Sequence, residues 1–381
     1  MTARTRRGHG EGAIYKRSSD GKWVGVLDLG WVDGRRRRLP VYGDTRREAH
    51  EKLMKLRREQ ERGRDLLAPP RLVSEWLFEW LSEVKSRDGT RHSTLDRYRG
   101  VVRRHLVPAL GQKRLDKLAP REVQSFLGQL SDRMAPGSVV KIHSVLRSAL
   151  SDAQRLDLVS RNVAKAAKPP SLQAPKRRTL TVADAQRLLV AASGDRLEAL
   201  FVIALTMGLR RGELLGLQWS DLDHADHVLS IERAVQRAAG QLRFVEPKTP
   251  RSRRVLPVPQ VAMAAFTAHR ARQARERLAA GDGWRDRDLI FASSIGTPME
   301  PRNVNRRFNE LRAKAGLDWL RLHDLRHACA TYLLANGVEP RTVMEILGHS
   351  TIRLTIDLYG HVLPDRLRAA ASAMDRAMEP Q

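Results

Sequence analysis

The order of apolar and polar positions divides the chain into three parts with different periodicity. In the first part, three short β-rich runs are separated by turn-forming residues: Ala13–Lys16, Trp23–Leu29 and Arg38–Tyr42, with turns at Ser18–Gly21 and Asp33–Gly34. Thr45 and Glu48 then form a capping box, which opens a helix with Ala49, Leu53 and Leu56 on one face. This pattern predicts a three-stranded sheet covered by one helix.

The second part, residues 71–170, has a helical period throughout. An apolar stripe at helical spacing predicts a core-facing helix rather than a platform for stacking bases: Val73, Trp76, Leu77, Trp80, Leu81 and Val84. Three further helices are expected at Ser93–Leu106, Pro120–Leu130 and Ser138–Leu156. The result is a four-helix module, and residues 165–176 follow as a basic linker that contains prolines.

The third part is mixed. A helix capped by Thr181 is expected to run through Leu189, and an apolar helix at Leu197–Met207 ends at Gly208. A small antiparallel sheet is expected from His227–Val235, Gln241–Val245 and Arg253–Val258, with helices from there to the end. The fold class is therefore multidomain α+β.

The net charge and its distribution limit the classes of function that the protein can have. The 381 residues carry a net charge of +26, divided as +8 over residues 1–70, +9 over 71–170 and +9 over 171–381. An excess spread so evenly is typical of a protein that follows a nucleic-acid duplex, and the alternative is a basic protein with solvated faces. No apolar run is long enough for a membrane helix or a secretory signal, so we expect a cytoplasmic protein with no membrane contact. The single cysteine, Cys329, excludes a disulfide framework and is expected to be a small buried residue.

Two groups of basic residues are candidate DNA contacts. Arg35, Arg36, Arg37 and Arg38 alternate sides of a strand, so one pair can face a DNA groove; the alternative is a charged edge that prevents aggregation. The second group lies on solvent faces of the predicted helical module: Arg97, Arg103, Arg104 and Lys141.

Three stretches carry candidate chemistry. In Thr206–Glu213 a helix stops at Gly208 and Arg210 follows, where a guanidinium can grip a phosphate; a surface Arg210–Glu213 pair is the alternative. His323 and Arg326 share a helix face in Leu322–Cys329. His323 and His327 have the spacing of a zinc-protease pair, but Asp324 replaces the usual glutamate and Arg326 would lie beside the cation. The third stretch runs from Leu347–Ser350 to Tyr359, and its candidate residues are His349 and Tyr359.

These motifs, in this order, resemble those of the tyrosine recombinases, the phage-integrase family, over nearly the whole chain. The resemblance implies three domains joined by a linker: 1–64 an arm-type DNA-binding domain, 71–168 a helical core-binding domain, 169–176 the linker, and 177–381 the catalytic domain with its C-terminal helix. It also directs attention to Lys248, in Glu246–Pro250, as the family's β-hairpin lysine. The implied catalytic set is Arg210, Lys248, His323, Arg326, His349 and the nucleophile Tyr359.

The implied reaction is transesterification through a 3′-phosphotyrosine, with no cofactor and no metal. Arg210 and Arg326 would bind the non-bridging oxygens, and His349 would donate a hydrogen bond to the phosphate. Lys248 would protonate the leaving 5′ oxygen, and His323 would act as the general base toward Tyr359.

The implied partners are double-stranded DNA attachment sites and a homo-tetramer assembled on them. A directionality or DNA-bending accessory protein and a bacterial host complete the expectation. The C-terminal helix at 366–378 is expected to dock on a neighbouring subunit, with docking within its own subunit as the alternative. Two other functions stay open at this point, a type IB topoisomerase and a non-catalytic DNA-binding regulator on the same fold.

Overall fold

The structure is a computed structural model that describes residues 13–32, 34–61, 66–67, 70–172, 178–238, 240–246 and 253–348. The chain divides into two compact units, Met1–Gln173 and Ala174–Gln381. The finer division at residues 64, 71, 168 and 177 stays a prediction. No helix among the described residues is both long and apolar enough to cross a bilayer.

The N-terminal part is a three-stranded antiparallel sheet with one helix against it. Strands β1 (Ala13–Lys16), β2 (Trp23–Val32) and β3 (Arg35–Gly43) pair in the order β1-β2-β3, and α1 (Arg46–Glu61) follows. Leu27 of β2 and Ala49 and Leu53 of α1 are buried, and Gly25, on the same face of β2 as Leu27, lies close against Ala49 and Leu53. The predicted sheet and helix are confirmed, while β2 and β3 are longer than the apolar pattern indicated.

The predicted capping box begins α1. The Thr45 hydroxyl accepts a hydrogen bond from the amide of Glu48 at 3.1 Å. The Glu48 carboxylate accepts in return from the amide of Asp44 at 2.9 Å, one residue earlier than the usual reciprocal bond. The Glu48 amide, which the helix itself leaves unpaired, and the amide of Asp44 before the cap are thereby satisfied.

The helical module occupies the rest of the first unit. Its helices are α2 (Val73–Glu79), α3 (Lys85–Arg87), α4 (His92–Val101), α5 (Val107–Leu110), α6 (Pro120–Ser131) and α7 (Pro136–Arg155). Five-residue π-helical turns at Trp80–Val84 and Val102–Leu106 join α2 to α3 and α4 to α5. Such turns were not expected, because the apolar period continues through them.

The predicted apolar stripe is core. Trp76 and Trp80 are completely buried, and each indole still finds a partner on α7. Trp76 Nε1 donates to the carbonyl of Ala149 at 3.0 Å, and Trp80 Nε1 donates to the Asp152 carboxylate at 2.8 Å. Both rings therefore join helices of the module and do not form a base-stacking platform.

The second unit contains helices α8 (Val182–Ala192), α9 (Glu198–Met207), α10 (Arg211–Gly216), α11 (Gln260–Ala280), α12 (Pro301–Lys314), α13 (Leu322–Ala335) and α14 (Pro340–Leu347). Its strands are β4 (Leu222–Asp223), β5 (Val228–Ile231), β6 (Ala234–Ala238), β7 (Gln241–Val245) and β8 (Arg254–Pro257).

The prediction of one small sheet is wrong in its topology. The expected strand 227–235 is interrupted at Glu232–Arg233. It is therefore two strands, which belong to different sheets. Strands β4, β5 and β8 form one antiparallel sheet, and β6 and β7 form a separate hairpin. The hairpin therefore ends just before the segment that contains Lys248.

Helix α9 lies at the centre of the second core. Leu200, Phe201 and Ile203 are fully buried, and α9 packs against both α11 and α13. The helix ends at Gly208, whose φ of 62° is left-handed. A side chain there would place its Cβ 2.4 Å from Leu347 Cδ2, so glycine is required both for the turn and for the approach of α14.

Candidate active site

The turn after α9 presents Arg210. Past Gly208 the backbone is extended at Arg210 (φ −70°, ψ 147°), and this residue is the N-cap of α10. The helix begins at Arg211. Glu213 is thus the third residue of α10, where a carboxylate can reach back to the capping amide.

Glu213 holds Arg210 by both its backbone and its side chain. One carboxylate oxygen accepts from the Arg210 amide at 3.0 Å, and the other accepts from Nη1 at 2.6 Å. The Arg210–Glu213 pair that the sequence offered as an alternative therefore forms, but its carboxylate is buried, since Glu213 is only 3% exposed. The pair fixes a partly exposed guanidinium on a buried carboxylate.

Helix α13 supplies the second arginine. Asp324 caps this helix by accepting from the Arg321 amide at 2.8 Å, and one turn along the helix the Arg326 side chain points inward, 3% exposed. Arg326 Nη1 donates to the carbonyl of Gly208 at 2.7 Å, and Nη2 donates to the carbonyl of Leu347. Arg326 therefore ties the turn that carries Arg210 to the end of α14.

A third arginine, Arg254, was missed by the sequence analysis. It is the first residue of β8, and its Nη2 lies 3.0 Å from Glu213 Oε2. A signal for it exists: Leu256 is buried and Val255 is exposed, so alternation directs Arg254 to the same inward face as Leu256. A buried arginine needs an anionic partner, and Glu213 provides it.

The cluster of three guanidinium groups with one buried carboxylate has an excess of positive charge. Burial alone would raise the pKa of the Glu213 carboxyl, but the charges of Arg254 and Arg210 outweigh it and hold the pKa below its ordinary value. Burial, followed by the charge of Arg210, lowers the pKa of the Arg326 guanidinium to about 9. Arg326 is still charged at neutral pH, and an anion that enters the site would relieve the repulsion between the arginines.

His323 and His327 lie on the same face of α13, with ring centroids 4.8 Å apart in an edge-to-face arrangement. His323 is exposed and His327 is partly buried. Within the part of the chain that the structure describes, no group of three or more histidine, cysteine or acidic side chains is arranged to hold a metal ion.

The remaining members of the expected catalytic set, Lys248, His349 and Tyr359, lie outside the described residues. Their positions along the chain still relate two of them to the cluster. Lys248 lies between β7 and β8, shortly before Arg254. His349 directly follows Gly348, whose carbonyl accepts a hydrogen bond from Arg210 Nη2 at 2.8 Å.

The expected DNA contacts outside the cluster are all exposed: Arg35, Arg36, Arg37, Arg38, Arg97, Arg103, Arg104 and Lys141. On β3, Arg36 and Arg38 both form ion pairs with the Asp28 carboxylate. Asp28 Oδ2 lies 2.9 Å from Arg36 Nε and 3.5 Å from Arg38 Nε. The two residues therefore lie on one face of the strand, as the alternation predicted. Their role as DNA contacts stays a prediction.

Cys329 is a small buried residue, as the sequence predicted. It is buried on α13, and burial raises the pKa of its thiol to about 12. The thiol is therefore neutral at physiological pH and a poor nucleophile.

Comparison with known proteins agrees with this geometry. The model of the phage integrase family matches residues 178–366, and that of the phage integrase N-terminal SAM-like domain matches residues 72–131. The integrase of Saccharopolyspora erythraea is 28% identical, over 94% of this chain and 95% of its own. The integrase of Streptomyces ambofaciens is 29% identical, over 97% of each chain.

Two solved structures share the fold. A Tn1549 transposon integrase fragment in complex with transposon right-end DNA has a TM-score of 0.68 and 21% identity, over 80% of this chain and 99% of that one. A lambda integrase tetramer bound to a Holliday junction has a TM-score of 0.58 and 19% identity, over 93% and 96%.

The fold and the family models define a tyrosine recombinase. The chain belongs to the phage integrase family. Its class of function is site-specific recombination for a mobile element.

Proposed function

We propose that the protein is an integrase that cleaves and rejoins double-stranded DNA at attachment sites through a 3′-phosphotyrosine intermediate on Tyr359. The observation that carries the proposal is the cluster, within the described part of the chain, in which Arg210 and Arg254 pair with the buried carboxylate of Glu213 and Arg326 lies close by. A cluster with this excess of positive charge binds an oxyanion. Because the chain belongs to the phage integrase family, we take this oxyanion to be a DNA phosphodiester.

The proposed roles of Arg210 and Arg326 follow from the exposure of their side chains to solvent. Arg210 keeps 38% of its side chain exposed, so it can reach a non-bridging oxygen of a phosphate that approaches from solvent. Arg326 is buried beneath it and adds charge in a region of low dielectric, where a fixed guanidinium stabilises developing negative charge most effectively. Together they would lower the barrier for attack at phosphorus, because the transition state gathers charge on the same oxygens.

Proton transfers are assigned to the remaining residues. A phenol has a pKa near 10 and needs a base to become nucleophilic at neutral pH, and the exposed imidazole of His323 is proposed for this step. Lys248 is proposed as the acid that protonates the leaving 5′ oxygen, and His349 as a donor to the phosphate. The chain needs no metal for this chemistry, since the phosphotyrosine bond stores the energy for rejoining.

The proposed assembly is a tetramer on two DNA sites, with the C-terminal helix at 366–378 docked on a neighbouring subunit. Support comes from lambda integrase, whose fold this chain shares and which forms a tetramer on a Holliday junction. An arm-type domain at the N-terminus would read accessory sites, and a directionality or DNA-bending protein is proposed to choose between integration and excision. The bacterial relatives favour a bacterial host.

The test is covalent trapping on DNA. The substrate is a double-stranded attachment site with a nick close to the cleavage point. After cleavage, the short fragment that carries the released 5′ hydroxyl dissociates, so religation is prevented and the adduct accumulates. We expect one adduct per strand at a defined position, with the protein on the 3′ phosphate. Adducts at random positions, together with relaxation of any supercoiled plasmid by a monomer, would favour the topoisomerase. A sequence-specific footprint without any adduct would favour the non-catalytic regulator.

The role of β3 is tested by the salt dependence of binding to DNA that carries accessory sites. Replacing both Arg35 and Arg37 with glutamine is expected to lower the slope of log Kd against log salt by about 2, because each lost phosphate contact removes about 0.9. Replacing Arg36 and Arg38 serves as the matched control, since Asp28 already engages both and a smaller change is expected. Equal slopes for all three proteins would remove this strand from the DNA interface.

A further inference from the structure

Arg254 differs sharply in exposure from Arg253, the residue that precedes it in the chain. The side chain of Arg253 is 50% exposed and pairs with Glu246 at 2.8 Å, whereas Arg254 is 7% exposed. Among the described residues, Arg254 binds two groups: Nη2 lies 3.0 Å from Glu213 Oε2, and Nε donates to the carbonyl of Ile346 at 2.7 Å. It thus connects the carboxylate that holds Arg210 with the last turn of α14.

The end of α14 receives one guanidinium on each of three successive carbonyls. Arg254 binds Ile346, Arg326 binds Leu347 and Arg210 binds Gly348. The carbonyls at a helix C-terminus have no partner within the helix and form the negative end of its dipole, so cations bind there favourably. The start of the segment that leads to His349 is therefore held by the two arginines that pair with Glu213, together with Arg326.

We propose that Arg254 is a positioning residue of the recombinase site, an inference that rests on the proposed function. It acts through Glu213, which it keeps ionised and oriented so that the carboxylate fixes both the amide and the guanidinium of Arg210. It acts at the same time through Ile346, which sets the distance between α14 and the phosphate-binding arginines. Arg254 itself is buried beneath the site and does not bind DNA.

The geometry predicts that lysine can replace Arg254 only in part. An ammonium group is a single point of charge, whereas the guanidinium presents Nη2 and Nε in a fixed plane toward two different acceptors. Lysine at position 254 can compensate the charge of Glu213 while losing the bond to Ile346. Comparing the two replacements therefore separates charge compensation from the holding of α14.

The experiment compares Arg254→Gln, Arg254→Lys and the control Arg253→Gln in the full-length protein. Single-turnover cleavage of the nicked substrate is measured for each, along with thermal midpoint and, in a Tyr359→Phe background, DNA affinity. We expect Arg254→Gln to slow cleavage about 10- to 100-fold, the scale of a small misplacement of catalytic groups, with affinity within about twofold of the parent. Arg254→Lys should recover part of the rate, and Arg253→Gln should cleave like the wild type.

A double-mutant cycle with Glu213→Gln gives the readout that a purely structural role would not produce. If Arg254 acts through Glu213, its replacement should slow the Glu213→Gln variant much less than it slows the wild type. Multiplicative losses would overturn the proposal. So would a rate per folded molecule equal to that of the wild type, which would reduce Arg254 to a stabilising ion pair. Failure of the wild type to form any adduct would instead contradict the proposed function.

Discussion

Replacing Tyr359 with phenylalanine is expected to abolish the covalent protein–DNA adduct. The substitution removes one hydroxyl group, and without it the family's nucleophile is gone, so the rate should fall by at least about 10⁴-fold, the scale seen when a nucleophile is deleted. Binding to the attachment site should change little, because the phosphate-binding arginines and the basic surfaces are untouched. Adduct formation on the nicked substrate, read by denaturing electrophoresis, measures the first quantity, and a mobility-shift titration measures the second.

Tyr332 provides the matched control for this experiment. It lies in the same unit on α13, and its hydroxyl donates to the carbonyl of Leu180 at 2.9 Å. Burial raises the pKa of this phenol, which makes it a still poorer nucleophile than an ordinary tyrosine. Tyr332→Phe should therefore retain the adduct. An adduct that survives Tyr359→Phe and disappears with Tyr332→Phe would reverse the assignment of the nucleophile.

Local signals in the sequence predicted much of the fold. The capping residues Thr45 and Thr181 lie at the starts of the helices they predicted, and the apolar stripe through Trp76 and Trp80 is the core of the helical module. The end of α9 at Gly208 also followed from sequence, because glycine in the left-handed conformation is a common helix terminator. Each of these features depends on neighbours within a few residues along the chain.

Features that depend on distant partners were the ones that sequence missed. The separation of β6 and β7 from the sheet formed by β4, β5 and β8 is decided by what each strand packs against, and not by its own alternation. Likewise, no local motif indicates Arg254, because its partner Glu213 lies far away along the chain. Its carbonyl acceptor on Ile346 lies further away still. The motifs identified Arg210 and Arg326, but neither Arg254 nor the carboxylate geometry that holds the arginines.

Replacing Arg326 with lysine is expected to reduce single-turnover cleavage by about 10³-fold, although the charge is retained. Arg326 donates from Nη1 to Gly208 and from Nη2 to Leu347, and a lysine ammonium cannot bridge the turn and the helix end while also serving a phosphate. Loss of one preorganised donor at an oxyanion site costs about 10²- to 10³-fold, and displacement of the Arg210 turn adds to that loss.

Arg341 on α14 is the control for this replacement, because its side chain is 80% exposed and lies 3.7 Å from Glu345. Arg341→Lys should cleave at the wild-type rate, since a surface ion pair of this kind contributes about 1 kcal/mol or less. Both variants are compared at saturating DNA, so that the rate of chemistry is separated from binding. A rate for Arg326→Lys within about threefold of the wild type would mean that charge alone suffices at this position. The bridging of Gly208 and Leu347 would then have no part in holding the site for catalysis.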